Sequence, residues 1–181
     1  MGTGLEIAII LLLVALNGAF AMSELAIVSA RRARLQAMER RGSRGAAVAL
    51  MLAEDPQRFL PTVQVGITLV GILAGGFGGA RLAKPLGAVL AGIPWLAPFA
   101  TQLAFALVVI AITYASLIIG ELVPKQLALR NPERFAVRVA QPMAWLARVT
   151  GPVVWLLGAS TALVLRLFGA HRPLEQAVTE E

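Results

Sequence analysis

The run IIGELVPKQLALRNPER, Ile118 to Arg134, sets a glutamate, a proline and a lysine at the end of an apolar stretch. The Glu121 carboxylate is a hard oxygen ligand, suited to Mg²⁺, Ca²⁺ or Na⁺ and not to zinc or copper. Pro124 adds a second donor. Proline has no N–H and its ring crowds the carbonyl four residues back, so the Gly120 carbonyl loses its helical partner. In lipid a freed carbonyl needs something else to accept from or bind, and a cation is one candidate. Consecutive residues thus offer a carbonyl and a carboxylate. Two earlier apolar runs carry further oxygens. Asn17 and Glu24 are seven apart and share a helical face, with Ser23 beside Glu24; Gln64 and Thr68 are four apart and share another. Read together, Asn17, Ser23, Glu24, Gln64, Thr68, Gly120 and Glu121 are the candidate ligands of a hard-cation site.

Each of these residues also has a plainer reading. Glu121 is placed to pair with Lys125 one turn on, Pro124 to stop a helix, and Glu24 to reach toward Arg31 or Arg32. Asn17, Gln64 and Thr68 are suited to interhelical hydrogen bonds of about 1 kcal/mol each. Oxygen donors at similar depth in three separate runs favour the ion site. Other chemistries are poorly supplied. The chain has no cysteine and a single histidine, His171, in a polar tail, so thiolate sites, histidine clusters and a histidine-based triad are excluded. No nucleophile with a partnered base and no phosphate-binding loop is visible, so an enzyme is not expected.

The elements that must position these groups are membrane helices. Of 181 residues 58% are hydrophobic, and the mean hydropathy is +0.78, well above soluble domains. A spanning helix needs about 20 apolar residues, and three runs qualify: 5–28, 59–80 and 99–123. Arginines between Arg31 and Arg44 follow the first, and Lys125, Arg130, Arg134 and Arg138 follow the third. The connection from Arg81 to Pro98, interrupted by glycine and proline, carries only Arg81 and Lys84 as cations. The positive-inside pattern puts the amino terminus outside and the basic clusters in the cytoplasm. The +6 net charge therefore serves topology, and nucleic acid is not an expected partner. The apolar stretch 149–165 is short and broken by Gly151 and Pro152, and suits a fourth span or an interfacial helix equally.

Three ordered motifs carry a resemblance: NGAFAMSELAIVSARRARL at Asn17, DPQRFLPTVQVGITLVGILAGGFGG at Asp55 and GELVPKQLALRNPERFA at Gly120. The chain resembles the membrane domain of the CNNM/CorC family of magnesium transporters or exchangers, also described as haemolysin-like. The resemblance implies an all-α membrane protein of three transmembrane helices plus a juxtamembrane helical belt (31–54 and 132–168), within a domain of residues 1–170. It also implies a homodimer in the cell (inner or plasma) membrane, with Mg²⁺ bound among the spans and Na⁺ the candidate exchanged ion. The serine of the family's "SE" pair is Ser23, and the acid of its "GE…PK" motif is Glu121. Many relatives read "GNN" in the second span where this chain has Gly66, Ile67 and Thr68, so Thr68, Gln64 or a local carbonyl must substitute. Relatives normally continue into CBS domains that bind adenine nucleotides; residues 171–181 are expected to begin that linker, and nucleotide regulation to lie beyond it.

The expected function is Mg²⁺ transport, with a membrane-anchored Mg²⁺ sensor that regulates another transporter as the alternative. Pore formation in foreign membranes is a weaker third, because such long apolar helices suit permanent insertion. The topology is directly testable. Cysteines introduced singly at Gly42, Gly87 and Asn131 should label with an impermeant maleimide from the inside, the outside and the inside; any other pattern overturns the three-span arrangement.

Overall fold

A computed structural model describes residues 3–168, apart from the side chains of Thr3, Gln57 and Arg58. Among the described residues every regular element is helical: α1 (Thr3–Ser29), α2 (Arg32–Arg40), α3 (Arg44–Glu54), α4 (Pro56–Ala91), α5 (Ala100–Leu117), α6 (Val123–Arg130), α7 (Pro132–Val149) and α8 (Gly151–Leu167). A single 3₁₀ turn, Ala97–Phe99, precedes α5, and one wide π turn, Ile118–Leu122, joins α5 to α6. Three segments are long and apolar enough to cross a membrane: Gly4–Ser29, Phe59–Ala91 and Ala97–Arg130. The expected class, three spanning helices with a helical belt, is the observed one.

The second long helix departs from the reading of residues 81–98 as a broken connection. It runs on through Pro85 to Ala91. Packing explains the extension: Leu82 and Leu86 join Ile10, Val14, Val108 and Ile112 in a compact cluster, and a Cβ at Gly87 would lie in ordinary contact with Ala104 and the Ala100–Thr101 backbone. The close α4–α5 seam outweighs the local helix-breaking propensity of proline and glycine, which tertiary context can override. At this far end the buried Glu6 of α1 meets Arg81 of α4 at 3.8 Å, and the guanidinium lies over the Phe77 ring. The chain then reverses over Gly92–Leu96.

The third spanning segment changes partner along its length. Its α5 half packs on α4, while the wide turn and α6 pack on α1. Close approach to α1 needs missing side chains. A Cβ on Gly18 would come within 3.0 Å of the Pro124 ring, and one on Gly120 within 3.2 Å of both Asn17 and the Val14 carbonyl. The glycine row of α4 splits likewise: Gly78 and Gly79 face Ile112 and Phe105, whereas Gly71, Gly75 and Gly76 face open space.

The basic end is closed by the belt. Ser43 caps α3 by accepting from the Ala46 N–H at 3.3 Å, after Gly42 turns the chain in the left-handed region at φ +87°. A Cβ on Gly45 would overlap the Val137 carbonyl, so α3 lies directly on α7. Ala136 and Ala140 of α7 join Leu35, Ala49, Phe59 and Ile27 in the larger core, and the buried Glu133 pairs with Arg34 at 3.5 Å. After α7 the chain bends by 65° into α8, which exposes almost all of its apolar surface. These positions refine the labelling sites: Gly42 is better replaced by Arg41, which is exposed and free of the left-handed backbone, and Gly87 by Pro94 in the reversal itself.

Candidate cation site

The Gly120 carbonyl, deprived of a helical donor by Pro124, receives one from another helix: the Asn17 Nδ2 amide donates to it at 3.1 Å. The π turn is the local counterpart. Its i+5 bonding, from the Val123 N–H back to the Ile118 carbonyl, widens the helix just before the proline, a form concentrated at functional sites. The Asn17 side chain is spent unequally. Its nitrogen is used, but its Oδ1 is buried and has no hydrogen-bond donor, the only such buried side-chain atom among the described residues. An orphaned oxygen costs about 1–3 kcal/mol, so it marks a place for a donor or a cation.

About two turns of α1 toward the basic end lie the charges. Lys125 Nζ stands 2.8 Å from Glu121 Oε1 and 3.5 Å from Glu24 Oε2. The intrahelical Glu121–Lys125 pair is thus present, but it is only half of the arrangement. Glu24 turns to the same ammonium and not to Arg31 or Arg32. Two carboxylates from different spanning segments share one cation, and all three side chains are only partly exposed. Ser23, next to Glu24 in the chain, is fully buried, and its hydroxyl donates to the Ala19 carbonyl one turn back, which leaves lone pairs on its oxygen.

The remaining candidates sit elsewhere. Gln64 and Thr68 are exposed on α4, on the same open row as Gly71 and Gly75, while Gly66 faces the Phe20 ring of α1. Among the described residues no three Asp, Glu, His or Cys side chains gather as a metal cluster. Glu24 and Glu121, with neutral oxygens, are the donors that an ion at this place would have. The donors form a ladder along α1: Asn17 and Glu24 are seven residues apart, about 10 Å at 1.5 Å per residue. An ion with bonds of about 2 Å could not touch both at once. Sequence spacing did not identify Lys125 as a bridge to Glu24, because the link crosses between helices 101 positions apart in the chain, from Glu24 to Lys125.

Comparison with known proteins gives a consistent match. Residues 7–181 match the cyclin M transmembrane N-terminal domain family, CNNM. The chain is 52% identical over 177 residues to the UPF0053 protein sll0260 of Synechocystis sp., covering 98% of this chain and 40% of that protein. It is 28% identical to the UPF0053 protein YugS of Bacillus subtilis, over 96% of this chain and 41% of that one. It is 30% identical to a protein of Haemophilus influenzae named polyamine export protein, over 88% of this chain and 37% of that one. The chain thus spans about two fifths of the length of these relatives.

The link between Pro124 and Asn17 yields a test. Pro124→Ala restores an N–H that can serve the Gly120 carbonyl within its own helix. Asn17→Ala should then cost about 1 kcal/mol less stability in the Pro124→Ala background than in the wild type, a coupling typical of directly interacting groups. Reversible unfolding in mixed micelles measures the cycle; additive losses would show that Asn17 does not serve the freed carbonyl.

Proposed function

The chain belongs to the cyclin M transmembrane family, and from that premise we propose that it is the membrane-embedded part of a cation transporter whose cargo is Mg²⁺. One observation carries the reading: Glu24 and Glu121, from different spanning segments, converge on a single positive charge about two turns of α1 from an unsatisfied buried oxygen of Asn17. Ionisable groups within spanning helices are costly and mark ion pathways. Mg²⁺ suits the donor set. It prefers six oxygens, keeps several waters and takes one or two carboxylates, and two carboxylates balance its charge. The ion would meet the Asn17 oxygen and the wide turn at one rung and the carboxylates, with Ser23 beside them, at the next. Efflux coupled to Na⁺ is the form of transport that the family resemblance supports.

We infer a homodimer as the working unit. On α4 the exposed Gln64 and Thr68 share a row with Gly71 and Gly75, where nothing lies within 4 Å. Polar groups and unfilled volume on a face otherwise surrounded by lipid are met by a second helix at close approach. The basic clusters support a cytoplasmic belt and an amino terminus outside.

A second cargo has an observation of its own. The cation now held between the two carboxylates is a primary ammonium, that of Lys125, and a polyamine presents the same group; a relative is named a polyamine export protein. The sensor reading needs the same ligands without passage of the ion.

Flux separates the three. Purified chain in sealed liposomes with an internal Mg²⁺ dye should pass Mg²⁺; spermidine flux without Mg²⁺ flux would favour the organic cargo, and Mg²⁺-dependent stabilisation without flux the sensor. Glu121→Gln should abolish both the flux and the Mg²⁺-dependent thermal shift. Ligand binding stabilises the folded state by RT ln(1 + [L]/Kd), so a hundredfold weaker site forfeits up to about 2.7 kcal/mol. Ser23→Ala should lose less, since it removes a neutral ligand. Glu133→Gln, which removes the charge that buried Glu133 offers to the exposed Arg34 away from the site, should lower basal stability and leave the Mg²⁺ response intact. A full Mg²⁺ shift in Glu121→Gln would move the site elsewhere.

A further inference from the structure

Lys125 stands where the cargo must stand. Its ammonium is 2.8 Å from Glu121 Oε1 and 3.5 Å from Glu24 Oε2, and an ion that bridged these two oxygens would have to displace it. The side chain that carries it is long and flexible, a compact charge on a four-carbon stem. It starts from α6, at the basic end of its spanning segment, where a lysine head can swing out to the interface while its stem stays in apolar surroundings. We propose that Lys125 is a tethered counter-ion that the cargo displaces on binding and that returns between Glu24 and Glu121 as the cargo leaves. The inference rests on the cation-site reading above and adds a consequence for selectivity. With the ammonium resident the two carboxylates keep one net negative charge; a divalent ion that replaces it brings the site to neutrality. A monovalent ion that replaces it trades one charge for one and leaves the balance unchanged. The lysine thereby sets a threshold at this carboxylate pair that a divalent cation passes and Na⁺ does not, so on this proposal an exchanged Na⁺ uses other ligands.

The competing role is a purely structural ion pair that ties α6 to α1. The two roles move Mg²⁺ affinity in opposite directions. Under displacement, Lys125→Met removes the competitor and leaves both carboxylates open, so the Mg²⁺ Kd of the purified chain, measured by calorimetric titration, should tighten at least tenfold. Na⁺ at 100-fold excess should then compete with Mg²⁺ in Lys125→Met and not in the wild type. Lys125→Arg keeps the charge and should stay within about threefold of the wild-type Kd. A wild type that binds Mg²⁺ with a Lys125→Met no tighter overturns this inference alone; no binding by either protein overturns it together with the Mg²⁺ reading. Should Lys125→Met fail to fold, the native lysine reports directly. The chain has only two lysines, Lys84 and Lys125, so Lys84→Arg with ¹³C reductive methylation, which keeps the charge, leaves Lys125 as the single lysine signal. Mg²⁺ should move that signal to the position of a solvated ammonium. An unmoved signal at Mg²⁺ concentrations that raise the melting temperature overturns the proposal, as does the absence of any Mg²⁺ effect.

Discussion

A backbone carbonyl inside hydrocarbon has to be given a partner, and the protein is arranged around one that Pro124 leaves without its own. Asn17 supplies that partner from α1. For its amide to arrive, α1 and the third spanning segment must run nearly in contact at this depth, which is why Gly18 and Gly120 lack side chains where the two helices meet. The third segment must also leave α4, on which its outer half packs, and cross to α1. The wide turn at Ile118–Leu122 sits at that change of partner. One missing N–H thus accounts for a helix irregularity, two close approaches and the placement of Glu121 directly after the shared carbonyl.

The same contact brings charge together. A carboxylate is tolerated at this depth only with a counter-charge or a water-filled surrounding, and Lys125 supplies the counter-charge for two of them at once. Other charges are committed elsewhere: Arg34 of the belt pairs with Glu133, and Arg81 at the opposite end of the bundle with Glu6. These three charge groups lie apart, one at each end and one within, and of the three the inner one pairs two acids with a single base.

How much of this was legible in the chain follows from range. Period and hydropathy act along one helix, so the three crossings and the placement of Lys125 one turn after Glu121 could be read directly, whereas hydropathy left 149–165 open and the belt came from the family resemblance. Pro124 also announced the free Gly120 carbonyl, since that consequence is local. What accepts or donates across helices was not announced: neither the Asn17 amide on Gly120 nor the Lys125 ammonium on Glu24 has a signature in spacing. Local rules also misled at α4, where glycines and Pro85 suggested a break and the packing of Leu82, Leu86 and Gly87 against neighbouring helices carried the helix on to Ala91. Gly71, Gly75 and Gly79 look equivalent by their four-residue spacing, yet only Gly79 is packed, because α5 leans on one part of that row.

The central claim is that a divalent cation takes the position now held by the Lys125 ammonium. Mn²⁺ shares the oxygen preference of Mg²⁺ and scatters anomalously, so crystals of the protein grown in lipid with Mn²⁺ report its position directly. The account predicts an anomalous peak within about 2.2 Å of a Glu121 carboxylate oxygen, with the Lys125 side chain withdrawn from Glu24. A Mn²⁺ peak remote from Glu121, with Lys125 still bridging the two carboxylates, would contradict it.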